Sequence, residues 1–154
     1  MKLAIIIEGA QNSGKTSTIL HFINQYQNRK LNVMRSGWQN IFINPHFQNL
    51  KINPYVISSS PSESDKQLIQ RFNKWSVLPD LIIMAEQNGG KHYSNTMTFL
   101  NANGYSINTF VINNINGSLS WERFDSSNKA AKLTTRANEI MDSIILFIKT
   151  HNII

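Results

Sequence analysis

The chain opens on an unbroken apolar run from Leu3 to Ile7, rich in β-branched side chains. A continuous run, as opposed to alternation, is what a parallel strand covered on both faces requires, and it predicts a buried strand over residues 1–7. A glycine-bearing loop from Gly9 to Gly14 follows. The period then changes: Ile19, Ile23 and Tyr26 recur at helical spacing beside Leu20 and Phe22, which predicts a helix from Lys15 to about Gln27. Residues 31–35 and 41–43 are short strand candidates, and the asparagine- and proline-rich stretch 44–54 reads as a loop or edge.

The same two periods alternate through the rest of the chain. Residues 55–58 read as a strand running into the serine-rich segment 58–64. Ser62 with Asp65 three residues on resembles a helix start, and Leu68, Ile69, Phe72 and Trp75 continue as an apolar stripe until Pro79. Residues 81–85 give an interior strand closed by Glu86 and the turn Asn88-Gly89-Gly90. A helix over 94–103 stops at Gly104, a natural left-handed cap. Residues 105–112 form the last strand. A polar loop to about Asn128 leads to a final helix, 129–151, with Leu133, Ala137, Ile140, Met141, Ile144 and Ile148 on one face.

Each parallel crossover needs a helix to return the chain, so this order predicts one α/β domain over residues 1–154. Its expected form is a three-layer α/β/α sandwich with a mainly parallel sheet. Ligands of such sheets bind beyond the carboxyl ends of the strands, so the loops after Ile7, Ser58, Ala85 and Ile112 should line one crevice.

The first of these loops carries the chemistry. Gly9-Ala10-Gln11-Asn12-Ser13-Gly14-Lys15-Thr16 fits G-x-x-x-x-G-K-[ST] in full, between a buried strand and an amphipathic helix. Here the sequence resembles the P-loop NTPase superfamily, strongly over the first 27 or so residues and loosely beyond. Gly9 and Gly14 let the backbone curl so that N–H groups of Gln11, Asn12, Ser13, Gly14 and Lys15 point at phosphate oxygens. The following helix start, with Ser17, adds its positive end. The resemblance implies that Lys15 reaches between the β- and γ-phosphates and that Thr16 offers its hydroxyl to Mg²⁺.

In proteins of this kind a second strand ends in an acid that holds the metal through water. Glu86 ends the interior strand at the crevice, whereas Asp80 should lie roughly 20 Å away at the other end. Glu86 is therefore the expected metal ligand, with a surface or hydrogen-bonding role as the alternative, and Glu8 the other local acid. Glu86-Gln87-Asn88-Gly89 also resembles the D-x-x-G element of GTPases, with Gln87 as a residue to orient water. Lys91 and His92 share that loop. Asn113-Asn114-Ile115-Asn116 stands where GTPases carry N-K-x-D. Asn113 matches while Asn116 replaces the aspartate, which favours a purine contact without guanine selectivity; an ordinary polar loop is the alternative. Arg123, followed by Arg136, stands where small P-loop kinases carry lid arginines, and the segment 58–64 reads as an acceptor loop, a switch or a capping turn.

Composition narrows these readings. Without cysteine there is no disulfide scaffold, Cys-based zinc site, iron–sulfur cluster or thiol nucleophile. The nine acids, Glu8, Glu63, Asp65, Asp80, Glu86, Glu122, Asp125, Glu139 and Asp142, are the whole supply of carboxylates. A net charge of +6 suits an anionic partner, but the basic residues are dispersed. Lys129, Lys132 and Arg136 could share one helical face, read as solvated in preference to a nucleic-acid surface. The apolar run at 3–7 is far shorter than the roughly twenty residues of a membrane span or the seven to fifteen of a signal-peptide core. The expectation is a cytoplasmic protein with no membrane partner. It would bind a Mg²⁺–purine NTP, ATP favoured with GTP as the alternative, and hydrolyse the β–γ bond, coupled to an unidentified partner. A small-molecule or nucleotide kinase with its own acceptor and a binding module with little turnover are the rival readings.

Overall fold

The computed structural model describes residues 1–27, 29–43 and 51–151. The protein is a mixed α/β fold with a mainly parallel five-stranded sheet and five helices among these residues. Strand β1 (Leu3–Gly9) is interior to the sheet, flanked in parallel by β6 (Leu81–Gln87), the middle strand, and β7 (Ser106–Val111), an edge strand. Beyond β6 lies β5 (Tyr55–Ile57), also parallel, and the short antiparallel β2 (Gly37–Trp38) closes that edge. A separate ribbon joins β3 (Ile41–Phe42) to β4 (Lys51–Ile52).

The alternation of strand side chains divides the core. Leu3, Ile5 and Ile7 face one cluster with Ile19, Phe22 and Ile23 of helix α1 (Lys15–Tyr26) and with Ala137, Ile140, Met141, Ile144 and Ile148 of α5 (Lys129–Thr150). Ala4 and Ile6 face the other, with Leu68 and Phe72 of α3 (Leu68–Phe72) and Leu100 of α4 (Tyr93–Ala102). The predicted apolar face of α5 is thus buried residue for residue. No helix among the described residues is long and apolar enough to cross a membrane.

Several boundaries differ from expectation for physical reasons. The segment 31–35 forms no strand; the edge pairing falls to Gly37 and Trp38, whose ring packs on Tyr55 and Trp75. Of the stretch 44–54, residues 44–50 lie outside the described residues, and Lys51 and Ile52 pair as a strand. The expected helix at 62 starts earlier and stops sooner. Ser60 caps α2 (Pro61–Ser64), its hydroxyl accepting from the Glu63 N–H, and Pro61 fills the first turn where no donor is needed. Asp65 then turns left-handed at φ 56°, so α3 starts anew and Ile69 stays exposed. Gly104, at φ 78°, follows α4 as predicted.

Tyr105 locks the amino-terminal edge of the sheet, donating its hydroxyl to the Pro79 carbonyl. Burial, and secondarily the charge of Asp80, pushes its pKa from 10 up to about 12. An unfolded tyrosine ionises near 10, so this contact's stabilisation is complete below that pH and declines as pH rises toward 12. Tyr105→Phe should cost about 1–2 kcal/mol near neutral pH, and the gap between the two proteins should narrow by about pH 11 in urea titrations.

Candidate functional site

The carboxyl ends of β1 and β7 and the segment after β5 meet at a cavity of about 390 Å³ lined by Asn12, Ser13, Gly14, Lys15, Thr16, Ser17, Glu63, Asn116, Arg123 and Phe124. The loop between β1 and α1 forms its floor. Asn12 at φ 60° and Gly14 at φ 101° give the loop its left-handed turns. Thr18 Oγ1 donates to the Gly14 carbonyl at 2.7 Å and fastens the loop's end to the first turn of α1. Within the loop, Ser13 Oγ is buried with no partner among the described residues.

Lys15 is buried and curls back over this loop. Its Nζ donates to the Gly9 carbonyl at 3.1 Å, the Ala10 carbonyl at 2.9 Å and Glu63 Oε1 at 2.7 Å. Those three bonds use all three ammonium donors. Glu63 reaches this position because Ser60 starts α2 immediately after β5. The sequence reading kept Glu63 only as one of nine acids; the signal that could have found it is the capping serine three residues before it, followed by proline. Thr16 Oγ1 donates to the Ser58 carbonyl at 3.0 Å, joining α1 to the same segment.

Glu86, the penultimate residue of β6, lies beside Glu8 in the register Glu8↔Glu86, but it does not line the cavity. Strand alternation puts it in the set with Ile82 and Met84, toward α4. There its fully buried carboxylate accepts from Thr96 Oγ1 at 2.7 Å, Ser62 Oγ at 3.2 Å and the Gln87 N–H at 2.9 Å. Its visible task is to hold Ser62, the neighbour of Glu63. Glu8 accepts from the Tyr93 hydroxyl at 3.0 Å. Gln87 pairs in register with Gly9 and, like Glu86, stays off the cavity wall. Gln11 is exposed; its carbonyl stands 3.5 Å from an Arg123 amino group. His92 and Lys91 both meet Asp65, at 2.7 and 3.1 Å, and the His92 bond, followed by that of Lys91, holds its carboxyl below the usual carboxylate range.

The opposite wall comes from the loop after β7. Asn113 is exposed and bridges to Glu122 through the backbone, while Asn116 lines the cavity. Arg123 lines it too, with its Nε enclosed and unpartnered among the described residues. The loop is held from below by α5. Lys132 Nζ donates to the Gly117 and Arg123 carbonyls at 2.7 and 2.8 Å. Arg136, fully buried, donates to the Ser120 and Glu122 carbonyls and to Thr18 Oγ1, between the rings of Trp121 and Phe124. Burial lowers its pKa to about 10, still high enough to leave it charged at neutral pH. The solvated basic face expected at 129, 132 and 136 is therefore wrong for Lys132 and Arg136, because the 113–124 loop folds over them. Arg136 supports the loop; only Arg123 reaches the cavity.

Phe124 closes the site against Gly14, where an added Cβ would lie 2.9 Å from the ring. Gly14→Ala should thus cost about 1–3 kcal/mol through its positive φ, together with displacement of Phe124. In urea denaturation, Phe124→Ala should relieve the steric share of that loss and leave the backbone share.

Among the described residues no group of three or more His, Asp or Glu is arranged to hold a metal. Glu63 is the one carboxylate among the residues lining the cavity, and the Thr16 hydroxyl is a neutral oxygen donor beside it. That sparse set fits Mg²⁺, which keeps several waters and takes one or two protein ligands beside substrate phosphates. Set against known proteins, the chain matches no family model, no curated protein and no solved structure.

Proposed function

We propose that the protein is a P-loop-type nucleotide-binding protein with a three-layer sandwich, which binds a Mg²⁺–purine NTP, ATP before GTP, and cleaves the β–γ phosphate bond. The observation that carries the reading is the Lys15 ammonium folded over a complete G-x-x-x-x-G-K-T loop, in a cavity at the carboxyl ends of parallel strands. The unspent donors of Ser13 Oγ and Arg123 Nε support it, since buried polar groups are ordinarily paired.

In this reading the loop N–H groups and the start of α1 cradle the phosphates, Lys15 neutralises charge between the β- and γ-groups, and Thr16 meets the metal. Bound Mg²⁺ would supply charge neutralisation at the γ-phosphate. Asn116 stands nearer the cavity than Asn113 for a base contact. Arg123 and Glu63, which both line the cavity, favour a second reading, a kinase whose acceptor enters between them. A partner protein that stimulates turnover fits the first reading equally.

Incubation of the protein with each labelled NTP and Mg²⁺, alone and with candidate nucleosides, separates the readings. Free phosphate supports hydrolysis, a phosphorylated acceptor supports the kinase, and tight binding without either product supports a binding module.

A further inference from the structure

Lys15 has no donor left for a ligand. Two of its three bonds go to carbonyls of its own loop, and the third, the shortest at 2.7 Å, goes to Glu63 Oε1. A phosphate oxygen reaching the ammonium must displace one of these three acceptors, and Glu63, the one carried on a partly exposed side chain, is the one free to swing aside. Glu63 cannot withdraw far. Its backbone is held by the Ser60 cap, and the preceding Ser62 is tied to buried Glu86. Its side chain is 27% exposed against 5% for Lys15, so the carboxylate can swing toward water but stays on the cavity wall.

We infer that Glu63 makes nucleotide binding conditional on a divalent cation. This rests on the nucleotide reading above. A triphosphate entering without metal loses twice: it displaces the partner of Lys15, and it then faces a carboxylate no longer neutralised by that lysine. Like charges that close are strongly unfavourable in a partly desolvated site. A triphosphate entering with Mg²⁺ brings the compensating charge to the edge formed by Thr16 and the displaced Glu63. The carboxylate thus exchanges one cation for another, and the site discriminates a metal–nucleotide complex from the free polyanion. Glu86 does not supply this discrimination, because it is fully buried away from the cavity, and the Thr16 hydroxyl carries no charge to repel a metal-free polyanion.

The test is calorimetric titration of the whole chain with ATP, once with excess Mg²⁺ and once with EDTA, for wild type, Glu63→Gln and Glu63→Ala. Glutamine keeps the size and the helix cap, and alanine controls for any new amide contact. Wild type should bind at least about thirtyfold more tightly with Mg²⁺ than without. Both variants should bind metal-free ATP at least about tenfold more tightly than wild type, and the ratio between the two conditions should fall accordingly. Variants whose metal-free affinity equals or falls below that of wild type, while wild type binds Mg²⁺–ATP, would overturn this inference alone. Failure of wild type to bind ATP in either condition would overturn the nucleotide reading and the inference together.

Discussion

Replacing Lys15 by alanine is expected, on the proposed reading, to weaken Mg²⁺–ATP binding on the order of a hundredfold or more. A charge-assisted hydrogen bond contributes about 1.5–3 kcal/mol, and the ammonium can offer one to each of two phosphate groups once it has left Glu63 and one of the two loop carbonyls. The fold should survive. The carbonyls of Gly9 and Ala10 lose a donor, but Glu63 is partly exposed and can be solvated, so the stability cost should be near 1 kcal/mol. A filter-binding assay with labelled ATP, beside a urea titration of the same preparations, separates loss of binding from loss of structure. Equal ATP affinity in wild type and Lys15→Ala would remove the basis of the site.

The largest effect on stability is expected at Arg136. This guanidinium is fully buried, its bonds go to two carbonyls and one hydroxyl, and two aromatic rings enclose it. Arg136→Ala empties the volume and leaves the Ser120 and Glu122 carbonyls without their donor, a combined loss of about 3–5 kcal/mol. Arg136→Met should recover part of that loss, because it refills the space and removes a charge that burial disfavours, as the pKa lowered to about 10 indicates. Both variants should loosen the loop carrying Arg123 and Phe124 and so weaken nucleotide binding indirectly. Urea midpoints measure the first effect; a loss under about 1 kcal/mol in Arg136→Ala would contradict the placement of this side chain as the loop's anchor.

How much of this was legible in the sequence depends on whether the signal is local. The strand, loop and helix from Leu3 to Tyr26 follow from one apolar run, two glycines and a change of period, all within a short stretch. The buried face of α5 and the stop at Gly104 are equally local. The side-chain partnerships are not. Glu86 falls at the end of the expected strand, but only the period-two alternation and the position of α4 decide that its carboxylate meets Thr96 and Ser62. Glu63 is joined to Lys15 across 48 positions, through a helix of four residues too short to show a period. Lys132 and Arg136 sit at helical spacing that reads as a polar face until the aperiodic 113–124 loop folds over them.

That contrast explains why the shape of the loop could be read from the sequence while the acid that reaches the cavity could not. The loop's curl comes from left-handed turns at Asn12 and Gly14 and from a helix that starts at Lys15. Which acid reaches the cavity depends on where the chain returns after β5, and the returning segment brings Glu63 to Lys15 while Glu86 secures it through Ser62. Substitutions at Glu86 should accordingly act through the position of α2.

The most direct measurement of the central claim is a crystal structure of the protein with Mg²⁺ and a non-hydrolysable ATP analogue. The account predicts the triphosphate in the loop from Gly9 to Thr16, with Lys15 Nζ between the β- and γ-phosphates, the metal at Thr16 Oγ1 and the Glu63 carboxylate moved off the lysine. An analogue bound elsewhere, or a Lys15–Glu63 pair intact beneath bound nucleotide, would contradict it.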